Sequence, residues 1–192
     1  MTTMTELHVP FPDAWAVLRV GEAGAVDRNR LAAAMASLGT ETQSLVDSYA
    51  GQIGQLLETT GLAALATLVV PAPDPGDEAA VWCLLQSVGP VATDTAALVD
   101  LVVRNPFPVV DDNPDPTILQ GRLGTIAKAV QFRPNPALAD HEGHWPYGAS
   151  VRYVLPTGPS SVTIAQFETL SLGYLPDLEE HFDAVMTHSF LT

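Results

Sequence analysis

The feature that most constrains the fold of this 192-residue chain is its last third, residues 149–192. Two stretches in which apolar side chains recur at every second position are separated by a turn rich in Gly, Pro and Ser. That pattern predicts a β-hairpin, formed by Ser150–Leu155 and Ser161–Leu170. A helix is predicted to follow near Pro176, because proline suits the first turn of a helix.

The last predicted helix has the pattern of an amphipathic helix packed on a sheet. Its apolar residues recur at three- and four-residue steps and would form one buried stripe. Acidic residues in its first turn would interact favourably with the helix dipole. The stripe consists of Leu178, Phe182, Val185 and Met186.

The rest of the chain alternates between predicted strands and predicted helices. Proline and glycine clusters separate these segments, and a Thr40/Gln43 capping box marks the start of one helix. We find no internal repeat and no linker that would divide the chain. In order, the expected elements are a strand or strand pair that includes 14–20, helices at 27–38 and from 40, apolar strands at 62–70 and 79–88, a helix at 92–104, a strand region at 117–132 and an irregular loop at 133–148. A buried helix is the alternative for 62–70, and Gly121 and Gly124 mark a turn, a bulge or a sharp bend within 117–132.

This order of elements predicts the α+β class. Runs of strands that are joined by short turns pair in antiparallel fashion, and amphipathic helices cover the resulting sheet. We therefore expect one domain over residues 1–192, built as an α/β/α sandwich with a mainly antiparallel sheet.

Composition excludes several classes of partner. The formal net charge of −14 repels nucleic-acid backbones and anionic membrane surfaces. An acidic surface can also bind a basic protein partner, although solubility is the favoured interpretation of this charge. Cys83 is alone in an apolar run, which indicates a buried thiol and a reducing compartment. No stretch has the length of a membrane helix or the pattern of a leader peptide, so we expect a cytoplasmic protein. The Ala, Val, Gly and Pro richness is typical of actinobacterial proteins.

The C-terminal region resembles a known family. The order Tyr153-Val154-Leu155-Pro156, a turn, a return strand through Phe167-Glu168-Thr169 and the helix from Pro176 to Val185 is similar to the C-terminal end of the PsbP-like α/β/α sandwich superfamily, which includes LpqN-like proteins. The resemblance covers about a quarter of the chain and carries over no site residues. It implies a binding or assembly role without enzymatic activity.

The strongest candidate for a metal site is the segment Asp140-His141-Glu142-Gly143-His144. His141 and His144 could bind Zn²⁺, with Asp140 or Glu142 as a third ligand, since imidazole and carboxylate groups are common zinc ligands. The spacing differs from the H-E-x-x-H pattern of helical zinc sites. A solvated loop without metal is therefore the favoured interpretation, and no cofactor is expected.

These observations lead to one leading hypothesis and two alternatives. The leading hypothesis is a non-enzymatic, acidic protein-interaction module of the bacterial cytoplasm, with a binding, assembly, immunity or chaperone-type role. Trp145 and Tyr147 are its candidate contact residues, because aromatic side chains dominate interface energetics, and burial against the core of the chain itself is the equal alternative. The first alternative is a metal-assisted hydrolase or other small-molecule enzyme built on His141 and His144. The second is a structural subunit that self-associates.

Overall fold

The computed structural model of the chain describes residues 7–12, 15–19, 64–70, 79–104, 114–134, 147–169 and 171–192. Within these ranges the chain forms strands, two α-helices and one short 3₁₀ helix at Leu172–Tyr174. The strands are β1 (Leu7–His8), β2 (Trp15–Arg19), β3 (Ala64–Val70), β4 (Ala79–Val88), β5 (Thr117–Gly121), β6 (Gly124–Pro134), β7 (Tyr147–Gly158), β8 (Ser161–Thr169) and β9 (Phe190–Leu191), and the helices are α1 (Thr95–Val103) and α2 (Leu175–Thr187).

Seven of these strands form one antiparallel sheet in the order β2-β3-β4-β8-β7-β6-β5. Strands β3 and β4, β5 and β6, and β7 and β8 pair in antiparallel fashion, and the last of these pairs is the hairpin that the sequence predicts. In the β5–β6 turn, Gly124 has a φ of +95°, a value that glycine adopts without steric cost. The predicted α+β class with a mainly antiparallel sheet is confirmed.

Helix α2 packs on one face of the sheet, which we call the α2 face. Its predicted stripe is buried, and Phe182 stacks on Phe167 of β8 with ring centroids 4.1 Å apart. The sheet contributes apolar residues at alternating positions, as the period of two requires. The largest of them, fully buried, are Val81, Ile126, Val151, Tyr153, Leu155 and Phe167.

Helix α1 packs on the opposite face, which we call the α1 face. Leu98 and Val102 are fully buried there against Ala127, Val154 and Val162. Asp94 precedes the helix, and its side chain accepts a hydrogen bond from the backbone N–H of Ala97 at 3.1 Å. Such a cap satisfies one of the N–H groups that a helix start leaves without an intrahelical acceptor.

The two ends of the described chain meet in a second, two-stranded sheet. Leu7 and His8 pair with Leu191 and Phe190 in antiparallel fashion. Close to it, the backbone N–H of Arg122 in the β5–β6 turn donates to the carbonyl of Thr187 at 2.9 Å. This bond ties the C-terminal end of α2 to the edge of the main sheet.

One sequence-based expectation needs adjustment, and two others concern residues that the structure does not describe. The loop expected at 133–148 is shorter at both ends, because Arg133 and Pro134 pair with Gly148 and Tyr147 as strand residues. The helices expected at 27–38 and from residue 40 lie outside the described residues. None of the helices in the described ranges is long and apolar enough to cross a membrane.

Candidate interaction site

Strands β6 and β7 pair over a long register that ends at Pro134 and Tyr147. Residues directly opposite each other in such a pair lie on the same face of the sheet, and so do residues two apart along a strand. Since Phe132 lies opposite Ala149, the side chains of Phe132 and Tyr147 are diagonal neighbours on the α2 face. Diagonal neighbours have their Cβ atoms about 7 to 8 Å apart, which is within reach of aromatic rings.

Both aromatic residues are exposed. Phe132 retains 53% of its accessible surface and Tyr147 retains 56%. We call Phe132 and Tyr147 the aromatic pair. Large apolar side chains that adjoin each other at the surface often mark a binding site.

The structure describes Tyr147 but none of the other sequence-predicted site residues. Tyr147, a predicted contact residue, is the first residue of β7 and faces solvent. Trp145, the other predicted contact residue, and the predicted metal ligands His141 and His144 lie outside the described residues. The described ranges hold no group of three or more His, Cys, Asp or Glu side chains that could bind a metal ion.

Four residues before Phe132 on the same face of β6 lies Lys128, the one lysine of the chain. It is 5% exposed and interacts with two carboxylates of α2. Its Nζ atom lies 2.6 Å from Oε1 of Glu179 and 2.9 Å from a carboxylate oxygen of Asp183. A buried ammonium requires partners of this kind, because its transfer out of water costs several kcal/mol.

Tyr153 of β7 completes this group. Its hydroxyl donates to Oδ1 of Asp183 at 2.6 Å, and the Lys128 Nζ atom lies 5.9 Å from the centre of its ring. Burial, followed by the hydrogen bond to Asp183 and the negative charges of Asp183 and Glu179, raises the pKa of Tyr153 far above its ordinary value. We call Lys128, Tyr153, Glu179 and Asp183 the ionic cluster.

The ionic cluster joins helix α2 to strands β6 and β7 of the sheet. Lys128 donates to both carboxylates, and Asp183 also accepts from Tyr153, so these polar groups are directed at one another. The Lys128 side chain is 6% exposed, which leaves a substrate no approach to the amine. The cluster therefore connects α2 to the sheet.

A second group of polar side chains lies on the α1 face. Arg152 donates through one terminal nitrogen to the carbonyls of Val102, at 3.4 Å, and Arg104. These contacts place a positive charge at the C-terminal end of α1, where the helix dipole favours it. The side chain of Gln166, opposite Arg152 in the sheet, donates to the carboxylate of Glu168.

Ser150 lies in the same part of the α1 face. It pairs with Glu168 on β8 and Gln131 on β6 and is fully buried. Its hydroxyl makes no hydrogen bond to any part of the chain that the structure describes. A buried hydroxyl without a partner costs about 1 to 3 kcal/mol.

Two further titratable groups lie near α2. Cys83 is fully buried in the core, as its apolar neighbours predict, and burial raises the pKa of its thiol. A thiol in that state is a poor nucleophile. Partial burial lowers the pKa of His181, which lies on α2.

The ionic cluster and Phe132 were not among the sequence-predicted site residues. A lysine inside the apolar segment Ile126–Val130 is the one signal that could have indicated a buried ion pair. Its partners are about fifty positions away, at Glu179 and Asp183, and alternation alone does not identify them.

No family model, no curated protein and no solved structure matches this chain. The resemblance to the PsbP-like superfamily accordingly stays a prediction.

Proposed function

We propose that this protein is a non-enzymatic interaction module that binds another protein through the aromatic pair. The observation that carries the proposal is the exposure of Phe132 and Tyr147 at diagonal positions on neighbouring strands. Aromatic residues supply a large contact area with few rotatable bonds, and they are enriched among residues that dominate binding energy.

The partner that best fits this chain is a basic protein. The chain has 22 acidic and 8 basic residues, and a surface of one sign attracts partners of the other and raises the association rate. A cytoplasmic role in assembly, immunity or chaperoning is compatible with this chemistry. Self-association is less favourable, because two copies would bring together charges of −14 each.

The rigid setting of the aromatic pair also supports the proposal. The ionic cluster holds α2 on the sheet, with Lys128 on the strand that carries Phe132 and Tyr153 on the strand that carries Tyr147. Side chains on paired strands are positioned before a partner arrives, which lowers the entropy cost of binding.

The test is affinity capture with matched variants. The double variant Phe132→Ser/Tyr147→Ser removes both aromatic rings from the surface. The control Ala92→Ser/Ala96→Ser changes two exposed residues at and before α1, on the opposite side of the sheet. We expect the wild-type protein and the control to retain a basic partner from a lysate of the native cell, and the aromatic double variant to lose it.

A second measurement determines the affinity of the complex and the effect of salt on its association rate. With the partner purified, we expect the double variant to weaken binding at least 10-fold, since truncation of central aromatic residues costs about 2 kcal/mol or more. Raising the salt concentration should slow association. A partner that binds the double variant as tightly as the wild type would show that the aromatic pair is not the contact site.

A further inference from the structure

Strand β5 is the last strand of the main sheet. It pairs with β6 in an unbroken register, from Thr117 opposite Lys128 to Gly121 opposite Gly124. Across its other side, the described residues contribute no neighbouring strand. The outer backbone N–H and C=O groups of such an edge can pair with another extended chain.

Proteins usually protect an edge strand with charged side chains, prolines or bulges. The sequence of β5, Thr-Ile-Leu-Gln-Gly, contains no charge and no proline, and its register has no bulge. Thr117, Ile118 and Gln120 are exposed. The side chains of this edge are thus exposed and its register is regular, two properties that favour the addition of a strand.

The surroundings of the edge are acidic on the α2 face. Helix α2 lies over β5 and β6, since Thr187 binds the backbone of Arg122 and Lys128 binds Glu179 and Asp183. The helix carries four acidic residues, Asp177, Glu179, Glu180 and Asp183, and neither Lys nor Arg. Arg122, in the turn that ends β5, and Lys128, opposite Thr117, carry two positive charges, so the four acidic residues outnumber these basic ones by two.

The negative charge of α2 determines which kind of chain can pair favourably with this edge. A second copy that paired β5 with β5 would bring two acidic α2 helices toward each other, which is unfavourable. An extended segment rich in Lys or Arg would place its side chains near the carboxylates of α2. Backbone hydrogen bonds along the edge would supply affinity in either case.

We infer that the outer edge of β5 binds an extended, basic segment of a partner protein as an added strand. The inference rests on the proposed interaction function but uses a different surface, so the two can fail separately. Alternate side chains of the added strand would face α2, and the remaining ones would lie beside Ile118 and Gln120 on the α1 face.

The experiment uses a phage-displayed library of random 12-residue peptides, selected against the intact protein. We expect the selected peptides to alternate Lys or Arg with β-branched residues. Hydrogen exchange should show that a selected peptide slows exchange of backbone amides within residues 117–121.

Two matched variants test the role of charge. Thr117→Lys/Gln120→Lys should weaken binding of the selected peptide about 10-fold, because the lysine at 117 lies on the α2 face beside the basic side chains of the added strand, and the lysine at 120 adds a second like charge to the edge. Thr117→Glu/Gln120→Glu should bind at least as tightly as the wild type. Both positions are exposed, so circular dichroism and thermal unfolding should show the same fold in both variants.

The aromatic double variant separates the two proposals. Phe132→Ser/Tyr147→Ser should bind the selected peptide with wild-type affinity, even though it loses the native partner. If selection yields no peptide, if the peptides are not basic, or if slowed exchange lies outside β5, the inference about the edge is wrong. The proposed function would still stand on the capture experiment.

Discussion

The α2 face of strands β6 and β7 has two regions with opposite character. In the first, Lys128 and Tyr153 are buried, and their polar atoms are directed at Glu179 and Asp183 of α2. In the second, farther along the same two strands, Phe132 and Tyr147 are exposed. The first region buries the charged amine of Lys128 and the second exposes two aromatic rings, which reverses the usual distribution of charged and aromatic residues.

The difference shows what each region can do. In the buried region each charged group has a partner within the chain, and these contacts hold α2 on the sheet. The exposed region offers apolar area that no described part of the chain covers. Stability should depend on the first region and binding on the second. Three variants test this contrast between the two regions.

The largest effect on stability is expected for Lys128→Met, which keeps most of the apolar stem and removes the charge. Glu179 and Asp183 would then lose their buried cation. Removal of one member of a buried ion pair costs 3 to 5 kcal/mol, but these carboxylates are 32% and 31% exposed and retain some water. We expect urea denaturation to show a loss of about 2 kcal/mol.

The control for that variant is Arg104→Ala. Arg104 forms an ion pair with Asp100 on α1, and both side chains are well exposed, at 71% and 55%. Exposed pairs of this kind contribute less than about 1 kcal/mol. An equal loss of stability in Lys128→Met and Arg104→Ala would contradict the claim that the ionic cluster stabilises the packing of α2 on the sheet.

A smaller effect is expected for Tyr153→Phe, which removes the hydroxyl that donates to Asp183. The loss at pH 8 should be about 1.5 kcal/mol, as for a hydrogen bond to a charged group. Because the pKa of Tyr153 is raised in the folded state, the unfolded chain alone releases this proton at about pH 10. The contribution of the hydroxyl is therefore complete below pH 10 and decreases above it.

The measurement is urea denaturation of the wild type and Tyr153→Phe at pH 8 and at pH 11. One pH unit above the ordinary tyrosine pKa, the wild type should have lost about 1.4 kcal/mol relative to the variant. The advantage of the wild type should almost disappear. If the two proteins keep the same difference at both pH values, the hydroxyl of Tyr153 does not remain protonated in the folded protein.

The smallest effect on stability is expected for Phe132→Ser/Tyr147→Ser. Both side chains are more than half exposed, so their removal should change the free energy of unfolding by no more than about 0.5 kcal/mol. The same variant should lose the partner. A large loss of stability would mean that the rings contribute to the folded chain itself, and the contrast between the two regions would not hold.

Much of the architecture could be predicted from local patterns. Alternation predicted the hairpin β7–β8, and the stripe from Leu178 to Met186 predicted the buried side of α2. These predictions succeed because each depends on residues that are neighbours in sequence. The ends of β6 and β7 were harder to place, because Pro134 and Tyr147 are strand residues through their pairing with each other.

The candidate site was less predictable. Tyr147 could be proposed as a contact residue from its position in an aromatic, irregular segment, whereas the pattern around Phe132 predicts only the end of a strand. Exposure depends on which parts of a face a helix covers. That coverage is a property of the packed molecule, and the sequence of β6 does not contain it.

The sequence alone determined the class of the fold, the strong negative charge and the amphipathic character of the C-terminal region, since composition and periodicity are local properties of the chain. The tertiary structure decided that Lys128 is buried beside Glu179 and Asp183, that Phe132 lies exposed next to Tyr147, and that β5 ends the sheet. Each of these depends on contacts between segments far apart in sequence, and the order of strands in the sheet is what brings those segments together.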